Sequence, residues 1–388
     1  MRTTFAPTIP RHPVGVAKAA PLPDWLSPLP WLAAGQPTAA DVEAVLASEA
    51  PGERELAALV SPAARPYLEA MAQRARSLTQ RRFGRVISLY APLYLANYCR
   101  NGCAYCGFAS DRRQPRRRLE LPEVERELAA LQAMGFAEVL LLTGERCPEA
   151  DFEYLRQCVA LAAQVFPSVG VEAFPMSAEE YRRLAEAGCS AVTVYQETYD
   201  PVQYERLHRW GPKKDYGERL ETPARAMAAG LRTVGLGVLL GLSDPCVEAV
   251  CLLRHARHLQ QLHWRSGVTL SFPRLRPDPG GFHAPFPVGE ALLAQMIFAF
   301  RIVLPDVPLL LSTRERPEFR DGMAGVGITK MSVASRTTVG GYADAARPVP
   351  GQFAVHDERG VAEFCAALRG RGLEPVFKDW DAVYREEL

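Results

Sequence analysis

The 388-residue chain has almost no net charge, since 45 lysines and arginines oppose 44 aspartates and glutamates. That balance leaves no global basic field to attract nucleic acid or an anionic membrane, and neither is expected as a partner. No apolar run approaches the roughly 20 residues that a bilayer span needs. The N-terminus carries prolines and scattered charge where a secretory leader would carry an uninterrupted apolar core, which predicts a cytoplasmic protein. Without an oxidising compartment, the nine cysteines do not read as a disulfide framework. The second C-x2-C or H-x3-H pair that would close a zinc site is missing, and Gly107 follows Cys106 where a c-type haem site needs histidine. A dinucleotide fingerprint is also absent. Gly235, Gly237 and Gly241 are spaced G-x-G-x-x-x-G and lie within a strand candidate, not in a turn that opens a helix.

What is present is Cys99-Arg-Asn-Gly-Cys103-Ala-Tyr-Cys106, a C-x3-C-x2-C run that offers three thiolates and no fourth. Iron-sulfur clusters normally take four cysteine ligands. A metal left with an open position is built for chemistry and not for scaffolding, so the run predicts redox-initiated chemistry. Cys147, Cys158, Cys189, Cys246, Cys251 and Cys365 are scattered singly through apolar stretches, where free cysteine serves as a small buried hydrophobe.

Residues 1–37 are rich in proline and lack periodicity, which predicts an extended arm pinned by Trp25 and Trp31. Residues 38–82 read as a helical cap, with one helix after Thr38 and another over Ala63 to Leu78. Residues 83–345 alternate strand and helix patterns. Eight strands are predicted: Val86–Leu95, Glu138–Leu142, Val169–Phe174, Ala191–Tyr195, Arg232–Leu240, Gly267–Phe272, Val307–Leu311 and Gly325–Met331. Six intervening helices are long enough to return the chain across a sheet, so the expected architecture is a closed (β/α)8 TIM barrel, with residues 346–388 as a short C-terminal extension.

Active sites of such barrels lie at the C-terminal mouth. The cysteines follow the first strand, Thr143-Gly144-Glu145 the second, Gln196-Glu197-Thr198 the fourth and Gly241-Leu242 the fifth. Pro273 to Arg276 follow the sixth, Ser312 to Glu315 the seventh and Ser332 to Arg336 the eighth. Gly144 lets backbone approach a ligand closely, and Glu145 could accept from an ammonium or cap a turn. Arg274, Arg276 and Arg314 suit a carboxylate, or serve as rim ion pairs. His208, His255, His258 and His263 lie on helices without a carboxylate motif and read as ordinary core or surface residues.

The cysteine spacing, with the aromatic Tyr105 before the third cysteine, resembles that of the radical S-adenosylmethionine (SAM) enzymes. The resemblance implies a 4Fe-4S cluster on Cys99, Cys103 and Cys106, with SAM chelated at the open iron and split to a 5'-deoxyadenosyl radical. By the same resemblance Thr143, Gly144 and Glu145 hold the methionine amino group, and Gln196 and Glu197 meet the ribose. Gly235, Gly237 and Gly241 let the adenine or sugar lie against the fifth strand, with tight strand packing as the alternative.

A narrower resemblance rests on Tyr94 to Phe108, Leu142 to Glu145, Val194 to Tyr199, Ser271 to Pro277, Leu311 to Glu315, Lys330-Met331-Ser332 with Gly340-Gly341-Tyr342, and Pro375 to Trp380. In this order they look like the 2-iminoacetate synthases, the tyrosine lyases of thiamine biosynthesis. The resemblance runs from about Phe83 to the C-terminus. It implies that L-tyrosine loses hydrogen at its amino group and breaks at Cα–Cβ to 2-iminoacetate and p-cresol. It assigns Arg314 and Ser332 to the substrate carboxylate, with Ser335 and Arg336 next, although Val339 stands where a turn-forming residue is expected. It also implies a flavodoxin- or ferredoxin-type electron donor and a thiazole synthase as partners. A tryptophan lyase shares the same barrel. The tyrosine lyase of hydrogenase maturation carries a further C-terminal cysteine motif, whereas the last 120 residues here hold only Cys365. A non-catalytic iron-sulfur or zinc scaffold would have no use for Glu145, Gln196, Glu197 and Gly241 around one mouth.

Overall fold

The computed structural model describes residues 22–26, 36–49, 51–275, 281–343 and 351–378. Most of the predicted arm, including Trp31, lies outside the described residues, as do Arg276, Asp379 and Trp380.

Eight parallel strands close into a barrel: β1 (Val86–Tyr94), β2 (Glu138–Leu142), β3 (Ser168–Glu172), β4 (Ala191–Thr193), β5 (Thr233–Gly237), β6 (Gly267–Ser271), β7 (Leu309–Leu311) and β8 (Lys330–Ser332). Each pairs with the next, and β1 closes the ring between β8 and β2. In β1 every residue after Val86 is buried, as expected of a parallel strand covered on both faces. A strand not foreseen, β9 (Glu374–Val376), pairs with the start of β1 below β2.

Outside the ring lie α4 (Leu121–Ala133), α5 (Phe152–Ala163), α6 (Ala178–Glu186), α7 (Pro201–Leu207), α8 (Tyr216–Ala228), α9 (Pro245–Leu262), α10 (Glu290–Val303) and α11 (Pro317–Met323). Helices α5 to α9 start on Asp151, Ser177, Asp200, Asp215 and Asp244, whose side chains accept first-turn N–H groups. These local signals fix where the chain turns down from the mouth.

The eighth strand departs from expectation. Gly325 to Thr329 does not extend but folds into a turn, with Gly325 at φ +71° and its N–H on the Ile328 carbonyl at 3.0 Å. Gly325 carries the turn, Gly327 lies where a Cβ would stand 2.6 Å from Ile297 Cγ2, and strand pairing begins only at Lys330.

The N-terminal layer comprises α1 (Ala39–Ala47), α2 (Glu53–Val60), a 3-10 turn (Pro62–Tyr67) and α3 (Leu68–Phe83). The predicted helix from Ala63 becomes α-helical only at Leu68, because Pro66 interrupts the first turn. Helices α2 and α3 pack on α10, and α2 also on α9, so the layer clads the outer wall. Gln295 joins it by donating to the Leu59 and Ser61 carbonyls at 2.9 and 2.7 Å. Trp25 stacks on His258 at 4.5 Å. After β8 the segment 351–357 returns over the mouth, bonded to the Thr313 and Thr337 carbonyls. It leads into α12 (Val361–Gly370) and β9.

Candidate active site

The cysteine loop is held by cations that collect its carbonyls. Arg116 donates to Asn97, Phe108 and Ala109 at 2.6 to 2.9 Å, and Arg112 to Ala104 at 2.8 Å. The Trp210 ring lies on Gly102, where an added Cβ would stand 2.2 Å from it. His208 donates from Nδ1 to the Tyr204 carbonyl at 2.8 Å, which leaves Nε2 to accept the Tyr105 hydroxyl at 2.8 Å. Burial pushes this imidazole down to about 2, so it stays neutral. His208 is thus a core residue that fixes Tyr105.

The sulfurs of Cys99 and Cys106 each accept a backbone N–H at 3.4 Å, from Glu145 and Phe108 respectively. Gln352 Nε2 reaches Cys106 Sγ at 3.8 Å. Burial pushes the Cys99 thiol up to about 11 and the Cys103 thiol up to about 12. Buried thiols of this kind give up their protons to a bound cation, and the N–H donors are already aimed at the sulfurs. Among the described residues no three His, Cys, Asp or Glu side chains converge on a single-ion centre. A cube does not ask for that, because each thiolate takes a different iron. The donor set therefore fits a 4Fe-4S cluster with one iron open.

The loop after β2 rests on this floor. A Cβ at Gly144 would stand 2.2 Å from the Tyr98 carbonyl and 2.8 Å from Cys99 Cβ. Thr143 lies beside it, and its N–H donates to the Glu172 carbonyl at 3.3 Å. Glu145 is buried and accepts Asn101 Nδ2 at 3.0 Å. After β4, Gln196 is buried with neither amide atom bonded, and Glu197 adopts φ +70° to accept Lys213 Nζ at 2.6 Å. An unpaired buried amide costs about 1–3 kcal/mol, a cost that a bound polar ligand removes. Gly241 turns at φ +115° beside Leu275 and Ala284. At Gly235 and Gly237 the strand-packing alternative holds, since Thr193 and the Tyr195 ring fill the space a Cβ would need.

Deeper in the lumen stand Glu172, Tyr195 and Arg314, all half-buried. Glu172 and Arg314 feel each other's charge, and both act on Tyr195. The Arg314 guanidinium stacks on Phe353 at 3.4 Å and has no carboxylate partner among the described residues. Ser332 is buried, hydrogen-bonded to the Tyr90 hydroxyl and to Thr313 N–H at 3.3 Å. Tyr94 donates to Gln352 Oε1 at 2.8 Å. Ser335 Oγ is buried without a partner among the described residues, and Arg336 is exposed. Arg274 is not available to a ligand: it is buried in a two-pronged pair with Glu315 and donates to the Val288 carbonyl at 2.8 Å. The rim alternative holds for it.

Sequence reasoning did not single out Glu172, Lys213 or Gln352. A motif was found after every strand except the third, and a lone acidic residue closing the apolar Val-Gly-Val-Glu172 was the available signal.

Two family patterns match the chain: the radical SAM superfamily over residues 93–253, and the biotin and thiamin synthesis associated domain over residues 271–374. The 2-iminoacetate synthase of Escherichia coli (strain K12) is 44% identical over 346 residues, covering 89% of this chain and 92% of that protein. That of Salmonella typhimurium (strain LT2) is 43% identical over the same shares. The crystal structure of HydG, a maturase of the FeFe-hydrogenase, superposes with a TM-score of 0.86 at 31% identity, covering 94% of this chain and 82% of that one. Among the described residues no helix is long and apolar enough to cross a membrane.

Proposed function

The chain belongs to the 2-iminoacetate synthase family of radical SAM enzymes, and from that premise we propose that it cleaves the Cα–Cβ bond of L-tyrosine to 2-iminoacetate and p-cresol, for the thiazole of thiamine. The observation that carries this reading is one lumen with three thiols at its floor, Cys103 buried and Cys99 and Cys106 half-buried, and above them Arg314, a guanidinium with no carboxylate partner among the described residues. A 4Fe-4S cluster with SAM at its open iron supplies, on one-electron reduction, the radical that starts the reaction. The rest is the work of side chains.

Cys99, Cys103 and Cys106 hold the cluster. Glu145, with Thr143 and Gly144 placing it, accepts the ammonium of SAM. Glu197 accepts the ribose hydroxyls, and Gln196 finds in the nucleoside the partner it lacks in the chain. Tyr105 packs beside the nucleotide, locked by His208, and Gly241 gives the turn that borders it. Arg314 grips the tyrosine carboxylate through a charge-assisted fork, and Ser332 adds a hydroxyl. The segment carrying Gln352 and Phe353 shuts the mouth over them, so that water is kept from a reactive intermediate. A flavodoxin- or ferredoxin-type protein supplies the electron, and thiazole synthase receives the iminoacetate.

The reconstituted protein, reduced under anaerobic conditions with SAM and either tyrosine or tryptophan, should release 5'-deoxyadenosine and p-cresol with tyrosine alone. An indole product from tryptophan would overturn the substrate. Intact SAM in a fully iron-loaded sample would overturn the chemistry.

A further inference from the structure

Strand β3 ends at the mouth on Glu172, in register with Leu142 of β2 and Thr193 of β4. Its carbonyl is used by Thr143 N–H, but its carboxyl has no hydrogen bond or ion pair with any described residue. It is nevertheless half-buried, and an enclosed carboxylate without a partner is unfavourable unless something bound completes it. The charged groups facing it are Glu197 from the loop after β4, Arg314 from the loop after β7, Lys213 from the α7–α8 connection and Arg219 from α8. The titratable hydroxyls around it are Tyr90 and Tyr94 of β1 and Tyr195 after β4.

Two of these neighbours locate the substrate nitrogen. Under the proposed function, on which this inference rests, Arg314 holds the tyrosine carboxylate and Glu197 the ribose. The amino nitrogen must lie between them, one carbon from the carboxylate and against the sugar. Glu172 senses both Arg314 and Glu197 and is itself unpaired.

We propose that Glu172 receives the substrate amino group, accepting its hydrogen bond and then its proton. One N–H bond of the bound ammonium breaks and one O–H bond forms on Glu172. The neutral amine keeps two N–H bonds, and loss of a hydrogen atom from one leaves a nitrogen-centred radical whose unpaired electron joins one electron of the breaking Cα–Cβ bond to form the C=N bond, the other leaving on the benzylic carbon. The total charge of the lumen is unchanged, and Arg314 stays paired with the substrate carboxylate. Glu172 suits this task at neutral pH, because burial and then Glu197 push it up to about 7.

The test compares L-tyrosine with 3-(4-hydroxyphenyl)propionate, the same molecule without its amino group, in binding to the SAM-loaded holoenzyme. In the wild type, tyrosine should bind about tenfold more weakly once Glu172 is protonated, below about pH 7, while the analogue binds unchanged or tighter. Glu172→Gln should abolish that pH dependence, bind tyrosine about tenfold more weakly than wild type at neutral pH, and leave the analogue unaffected. It should also yield less p-cresol per 5'-deoxyadenosine, since reductive cleavage of SAM does not need the carboxylate. Parallel pH curves for the two ligands in the wild type overturn the proposal, and this arm needs no variant. Equal discrimination by Glu172→Gln and wild type overturns it as well. A wild type that makes no p-cresol instead defeats the tyrosine-lyase reading.

Discussion

The rim and the lumen of one barrel mouth treat charge in opposite ways. At the rim Arg274 meets Glu315, and Arg320 meets both Asp357 and the Ser332 carbonyl. Arg359 adds to Asp357 at 2.7 Å and Asp321 at 2.9 Å. In the lumen Arg314 and Glu172 sense each other without bonding, and the Gln196 amide bonds to no described residue. All of these groups are wholly or partly enclosed, so burial does not distinguish them. The difference is whether their geometry is completed within the chain. Among these groups a completed charge fastens the mouth, and an incomplete one is left for a ligand.

The largest effects should come from the floor on which both regions stand. Replacing Cys99, Cys103 or Cys106 with alanine should abolish 5'-deoxyadenosine formation. Gly144→Ala should come close to it, because its Cβ would collide with backbone at Tyr98 that cannot move aside. Iron per chain and product yield measure both, and a fully loaded, active Gly144→Ala enzyme would detach the β2 loop from the cluster loop.

The contrast itself is tested by one variant on each side. Asp357→Ala strands the buried Arg320 charge and should cost about 3–5 kcal/mol, lowering Tm by roughly 4–6 °C. Arg314→Met removes a cation that has no carboxylate partner among the described residues, so Tm should hold or rise, while kcat/KM for tyrosine falls about a hundredfold or more through KM. Calorimetry beside steady-state kinetics separates the two. An Arg314→Met enzyme as unstable as Asp357→Ala would erase the distinction between rim and lumen.

That distinction also marks what could be read from the sequence. The barrel, the cysteine trio and the motifs Thr143-Gly144-Glu145 and Gln196-Glu197 are local patterns, and the fold puts them where strand ends are expected. Arg274 and Arg314 look alike locally. They are told apart by whether Glu315 reaches back across 41 positions, a relation that no window of sequence contains. Glu172 is silent for the same reason, since its meaning comes from Arg314 and Glu197 across the lumen. The stretch from Gly325 to Met331 was misleading in the opposite sense, as its apolar residues suggest a strand while its glycines allow a turn.

The smallest effect concerns a second raised carboxyl that belongs to neither class. Glu248 of α9 is buried, accepts the Tyr199 N–H at 2.9 Å and bonds Thr198 Oγ1, so its geometry is completed inside the chain. Burial nonetheless pushes it up to about 8 from the ordinary value of 4.5. The folded protein therefore holds a proton up to about pH 8 that the unfolded chain releases near pH 4.5. Stability should fall as pH rises through that window and level off above it, because the folded state binds more protons there. Glu172 contributes with the same sign up to about 7, so only a difference isolates Glu248. Glu248→Gln keeps an acceptor oxygen and removes the titration. Its Tm should change less than that of the wild type between about pH 5 and about pH 8, by roughly 2–4 °C, with KM for tyrosine unmoved. Glu172→Gln should flatten the same curve but lose its grip on the substrate amine. If Glu248→Gln also weakens tyrosine binding, an internally completed carboxyl is acting on the ligand, and the boundary between fastening and binding groups would have to be redrawn to include the α9 side of the barrel.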